Sequence, residues 1–170
     1  MNLNLNLNLS AINKLTREQF VDALGAIFEH SPWVAELAFD AGPFRSVDEL
    51  HDAMVKVVLQ SPDEQKIALF REHPDLATRL KIGEYSAMEQ QGAGLDRLSP
   101  EEFAVFTSRN SEYARKFGFP FILAVRGKDK SDILAAMEAR INNSLEEEAD
   151  EALWQIARIA KFRLHDLITE

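Results

Sequence analysis

The heptapeptide Arg71-Glu-His-Pro-Asp-Leu-Ala77 is followed, a short loop downstream, by Ser86-Ala-Met-Glu-Gln90. Together they set a histidine at a forced helix end near a carboxylate and a primary amide. A neutral imidazole can take or give a proton near neutral pH, and a carboxylate beside it fixes its tautomer and raises its basicity. His73 with Glu89 therefore points to proton-transfer chemistry that asks for no cofactor.

Each of these residues also has a purely structural reading. Pro74 disfavours α geometry at the residue before it, so the helix opening near Ser61 is expected to end at His73. A histidine there can simply complement the helix dipole. His30 stands in a similar position before Pro32, so position alone does not separate His73 from His30, His51 and His165. Ser86 and Glu89 have the spacing of a capping box. Gln90 adds a donor and an acceptor suited to an amide or urea group.

Arg163 is harder to assign to the surface. Leu153, Ile156, Ala157, Ala160, Leu164 and Leu167 form the apolar stripe of the last helix. At about 100° per residue, Arg163 falls beside Ile156, Ala160 and Leu167. An arginine facing a core is costly unless paired. It either snorkels or grips a carboxylate or urea with both arms of its fork. Arg158 and Lys161 face solvent on the same wheel. Further upstream, Pro120 blocks continuation of the preceding helix. The residues after it, Phe121, Ile122, Leu123, Ala124 and Val125, read as buried extended chain or the start of another helix. If buried and non-helical, their main-chain N–H and C=O groups need partners. They could form a specificity wall for a flat cyclic ureide, or an aromatic-rich core loop.

The elements that must position these groups are helical. Thr16 with Gln19, Ser46 with Glu49, and Ser144 with Glu147 have capping-box spacing. Ser31-Pro32, Ser61-Pro62 and Ser99-Pro100 place a capping serine before a proline, and Ser131 opens a further helix. Phe20, Leu24, Ile27 and Phe28 share one face, as do Leu50, Met54, Val57 and Val58, and Phe103, Phe106 and Tyr113. Gly118 fits a helix stop, and Gly92-Ala-Gly94 ends the short helix carrying Glu89. The fold class is all-α, an irregular single-domain bundle of roughly eight helices joined by short loops. The alternating Asn-Leu run at the N-terminus lies in an expected flexible extension over residues 1–12, with the helical domain over 13–170.

A chain of 170 residues with 46% apolar side chains can bury one core. The absence of cysteine removes disulfides, thiolate nucleophiles and thiolate metal ligands. A net charge of −9 argues against nucleic acid as a partner, because phosphate binding needs basic patches. An anionic substrate would need a locally placed arginine. Four scattered histidines lack metal-ligand spacing, and no apolar run is long enough for a membrane span. The expected protein is cytoplasmic, with no metal, nucleic acid or membrane partner.

The motifs resemble the 2-oxo-4-hydroxy-4-carboxy-5-ureidoimidazoline (OHCU) decarboxylases of urate breakdown. They are Arg-Glu-His-Pro-Asp-Leu-Ala, Ser-x-x-Glu-Gln-x-x-Ala-Gly-Leu, Asn110-x-x-Tyr113-x-x-Lys-Phe-Gly-Phe-Pro-Phe-Ile and Phe162-Arg-Leu-His165, in that order between about Phe20 and Ile168. The resemblance implies an all-helical, usually dimeric, cofactor-free lyase that releases CO₂ and forms (S)-allantoin. It makes His73, Glu89 and Arg163 the catalytic residues. It makes Pro74, Ser86, Ala87, Met88, Glu89, Gln90 and Arg163 substrate contacts, with main-chain contacts from Phe121, Ile122, Leu123, Ala124 and Val125. One departure is that Thr78-Arg79 stands where a glycine often follows His-Pro-Asp-Leu-Ala, in a loop shorter than in animal members. This bears on loop shape more than on chemistry.

The expected mechanism gathers imidazole, acid and guanidinium around one small flat molecule. Two alternatives stand beside it. One is a non-enzymatic helical module that uses acidic faces around Glu146, Glu147, Glu148, Asp150 and Glu151. The other is a ureide-processing relative with a different substrate.

Overall fold

The computed structural model describes residues 7–77 and 82–170. Among them the chain forms nine α-helices, one 3₁₀ turn and two very short strands. The all-α expectation is met. No helix among the described residues is long and apolar enough to cross a membrane. The described residues divide into two compact units, Met1–Glu72 with Ala157–Glu170, and His73–Ile156.

In the first unit, α1 (Leu9–Ile12), α2 (Arg17–Leu24), α3 (Trp33–Ala38), the 3₁₀ turn Phe39–Ala41, α4 (Val47–Leu59) and α5 (Asp63–Arg71) follow one another. Thr16 and Gln19 form a complete capping box on α2. Ser46 caps α4 through the Glu49 N–H. The first expected stripe needs correction, because α2 stops at Leu24 and Ile27 and Phe28 are buried from a turn. The α4 stripe is buried at Leu50, Met54 and Val58. Ser31 and Ser61 do not cap their helices. Their hydroxyls donate to the carbonyls of Glu29 and Val58, and Pro32 and Pro62 take the cap positions instead.

The N-terminal alternation yields a strand only at β1 (Leu7–Asn8), parallel to β2 (Ile168–Thr169) in the same unit. Of the expected 1–12 extension, residues 1–6 lie outside the described residues. Leu9 and Ile12 are buried on α1. The pair Thr78-Arg79 also lies outside the described residues.

The second unit holds α6 (Glu84–Gly92), α7 (Pro100–Phe117), α8 (Lys130–Arg140) and the first part of α9 (Leu145–Leu167). Ser99, Pro100 and Glu102 start α7 with a full capping box, and Gly118 ends it at φ 81°. A side chain is disfavoured at that positive φ, so glycine suits the stop. Ser144 and Glu147 cap α9 reciprocally. Ser131 lies inside α8, whose cap is Asp129 with Asp132.

The core of this unit contains a charged knot. Glu148 has no exposed surface and accepts from Arg140 Nε at 2.9 Å, from Asn143 Nδ2 at 2.9 Å and from the Tyr113 hydroxyl. Arg140 also lies 4.3 Å over the Phe121 ring. Glu148 belongs to the acidic run whose faces the alternative interaction module would use, and its burial takes it off any such face. A buried pair of this kind is costly to break, because one uncompensated charge remains. Arg140→Met should therefore lower stability by about 3–5 kcal/mol, read as a lower urea midpoint.

Burial, then the hydrogen bond with Glu148, pushes the Tyr113 phenol above its ordinary 10.0. A raised folded value contributes stability that is complete below the unfolded value and is lost as pH climbs past it. Wild-type protein should lose stability steeply above pH 10, and Tyr113→Phe should flatten that loss when unfolding midpoints are compared on either side of it.

Candidate active site

The second unit brings together most of the residues singled out above. α5 ends at Arg71 with Glu72 as its C-cap, and His73 follows in a bend before Pro74. The helix thus stops two residues earlier than Pro74 alone requires. His73 is only 8% exposed, so its ring is not a solvated dipole partner. α6 begins at Glu84 after Gly83, which puts Ser86 and Glu89 inside the helix and rules out the capping-box reading. Ser86 and Gln90 are buried four residues apart on one face, and Glu89 is half-buried. Ala87 and Met88 fall on the outer face, with Met88 59% exposed.

Gln90 has a structural duty that its sequence context did not reveal. Its Oε1 accepts from the Ala77 N–H at 2.9 Å, and its Nε2 donates to the Asp75 carbonyl at 3.2 Å. One N–H and one lone pair of the amide remain for other work. Asn110 on α7 donates from Nδ2 to the Leu76 carbonyl at 2.8 Å. The stretch after His73-Pro74 is thereby tied to two helices.

The 121–125 segment is buried throughout and is neither helix nor strand. Arg140 Nη1 donates to the Ile122 carbonyl at 2.6 Å, and the Ala124 N–H donates to Gln155 Oε1 at 3.0 Å. In extended chain, alternate residues turn their N–H and C=O to opposite edges. One edge is therefore held by α8 and α9. On the other, Leu123 makes no hydrogen bond among the described residues. A buried main-chain donor and acceptor left this way call for a partner, and a ligand with paired N–H and C=O edges supplies one.

Arg163 belongs to the first unit. It is 2% exposed, which rules out snorkelling. Its Nη1 lies 3.1 Å from Glu29 Oε1 and 3.1 Å from the Ile27 carbonyl. Glu29 is itself 4% exposed. Its backbone carbonyl also accepts from Ser31. The expected grip on a carboxylate is thus exercised on a carboxylate of the chain itself. Glu29 gave no sequence signal, because it sits in a turn outside any periodic stripe. Arg140, Glu148, Gln155 and Asn110 did carry a signal. Asn110 lies on the buried face of Phe106, Tyr113 and Phe117, and Glu148 lies four residues before the buried Ala152. Polar residues at apolar spacing are the same cue that exposed Arg163.

A family model described as OHCU decarboxylase matches residues 13–165. A 2-oxo-4-hydroxy-4-carboxy-5-ureidoimidazoline decarboxylase of Haloferax volcanii is 44% identical over 158 residues, covering 93% of this chain and 94% of that protein. The uric acid degradation bifunctional protein PucL of Bacillus subtilis is 43% identical over 159 residues, 94% of this chain but only 32% of that longer protein. Among solved structures, a crystal structure of (S)-allantoin synthase aligns with a TM-score of 0.79 at 31% identity, over 96% of this chain and 54% of that one. The chain belongs to the OHCU decarboxylase family.

The Glu29–Arg163 pair lends itself to a direct test. Glu29→Ala strands a buried guanidinium, so chemical denaturation should show a loss of about 3–5 kcal/mol. A surface ion pair would give about 0–1 kcal/mol.

Proposed function

We propose that this protein is a carboxy-lyase of urate breakdown that decarboxylates OHCU to (S)-allantoin and CO₂ without a cofactor. The observation that carries the reading is the composition of the second unit. A buried histidine after α5, the inward face of α6 and a buried extended segment with an unpaired Leu123 edge lie in one compact body. Family membership supplies the substrate class.

In this reading His73 takes the proton of the substrate hydroxyl, and Glu89 orients the imidazole. The C–C bond to the carboxylate breaks, its electron pair stays on the ring as CO₂ leaves, and the pair is delocalised into the adjacent C=N. The hydroxyl oxygen becomes the carbonyl of the product. The ring nitrogen that received the pair takes a proton from solvent, and the proton held by His73 adds to the ring carbon from one face, which sets a single enantiomer. Pro74, Ser86 and Gln90 line the ureide, and the main chain of Phe121, Ile122, Leu123, Ala124 and Val125 reads the ring edge. Ala87 and Met88 complete the α6 turn and are assigned no side-chain contact. Arg163 holds the substrate carboxylate or urea, with Glu29 keeping the fork oriented. We place the protein in the cytoplasm as a homodimer, following the family.

The test uses freshly generated urate-oxidation intermediate with no metal added. His73→Asn should cut stereospecific (S)-allantoin formation by about 10²–10⁴ with unfolding unchanged, and near-normal turnover would discard the role. Arg163→Lys keeps a cation for Glu29 but loses the planar fork. It should weaken allantoin binding in calorimetry more than it lowers stability.

A further inference from the structure

We propose that Asn110 is a positioning residue for His73, holding the imidazole in place by anchoring the Leu76 carbonyl to α7. The inference rests on the catalytic reading of His73 given above and extends it to a residue outside those assigned to the substrate.

Three features of the Asp75-Leu76-Ala77 stretch carry it. Each residue there uses a main-chain group to bond a side-chain amide, Asp75 and Ala77 to Gln90 and Leu76 to Asn110. Ala77 holds φ at 65°, a left-handed conformation that a residue with a Cβ adopts only when its surroundings impose it. The stretch follows His73-Pro74 without an intervening residue, and Pro74 has little freedom in φ. Pro74 leaves few free backbone torsions between the anchored stretch and His73, which gives relaxation at 75–77 a short route to the imidazole.

The two anchors are not equivalent. Gln90 sits on the nine-residue α6, whose N-cap Gly83 offers no side-chain cap. Asn110 sits in the interior of the 18-residue α7, which has a full capping box and a glycine stop and buries Phe106, Tyr113 and Phe117 on the same face. Asn110 thus supplies the tie to the more rigid element.

Stability alone does not account for an asparagine at this position. Asn110 is buried, and its Oδ1 has no hydrogen-bond partner among the described residues. A buried acceptor left unpaired offsets what the single donated bond contributes. An apolar residue would suit the surrounding Phe106 and Tyr113 stripe equally well. What an apolar residue does not supply is a fixed donor for the Leu76 carbonyl.

The test is Asn110→Ala, read in three ways. The chain has only four histidines, and His30, His51 and His165 all lie in the other unit. The imidazole ¹⁵N spectrum therefore has four ring systems to follow, and the spectrum of His73→Asn assigns the one that belongs to His73. The expected result is a shifted or broadened His73 signal with the other three unchanged. The same variant should show kcat lowered roughly 10- to 100-fold, as a displacement on the order of 1 Å can produce, with KM within about twofold and an unfolding midpoint lowered only modestly by the unpaired Leu76 carbonyl. An unmoved His73 signal, an unchanged kcat, or a variant that fails to fold each overturns the inference. If His73→Asn turns over normally, the catalytic reading and this inference fall together. If His73→Asn is inactive while Asn110→Ala turns over normally, this inference alone falls.

Discussion

Buried main chain that belongs to no helix or sheet has to look for its hydrogen bonds in side chains, water or a ligand. That constraint governs the second unit. The 121–125 segment lies in the core with no neighbouring strand among the described residues, and Arg140 and Gln155 bond the Ile122 carbonyl and the Ala124 N–H on one edge. Arg140 can do so only because Glu148 compensates its charge in the same dry space. Glu148 in turn accepts further bonds from Tyr113 and Asn143. The ion pair is thus a device for holding extended backbone in place within a dry interior.

The same solution recurs beside His73. Gln90 and Asn110 hold a loop whose own conformational preference would not keep it in place, as the positive φ of Ala77 shows. In both places a short irregular stretch carries the candidate chemistry while long capped helices carry the stability. This division fits the proposed site, which would read the edges of a small planar molecule. Main-chain groups offer donor and acceptor in fixed register, whereas long polar side chains would lose entropy on being ordered.

Arg163 illustrates how burial changes the meaning of a residue. On a helical wheel it is a cation at the border of an apolar stripe. In the fold it is almost wholly enclosed and paired with Glu29. Enclosure keeps the guanidinium fork oriented and lowers the local dielectric, which strengthens its interaction with any anion that reaches it. The cost is that neither partner can be removed alone without leaving a buried charge.

Much of the fold was legible in the residues themselves. The capping boxes at Thr16, Ser99 and Ser144 start helices where their spacing says, because an N-cap is a local interaction among four consecutive residues. The stripe at Leu50, Met54 and Val58 is buried because helical period is local too. The motifs around His73, Glu89 and Arg163 likewise resemble the family by residue type and order alone. Local rules failed where distant segments competed. Ser31 and Ser61 spend their hydroxyls on carbonyls instead of caps, Ser86 and Glu89 lie inside a helix that starts earlier, and Glu148 leaves an acidic run for the core. The partners of Arg140, Gln90, Asn110 and Arg163 lie far along the chain or in turns without period. Residue types and spacing therefore determined the helices and the candidate chemistry. Tertiary structure alone decided which polar groups meet in the dry interior, since pairing there depends on distance in space and on the cost of leaving a group unpaired.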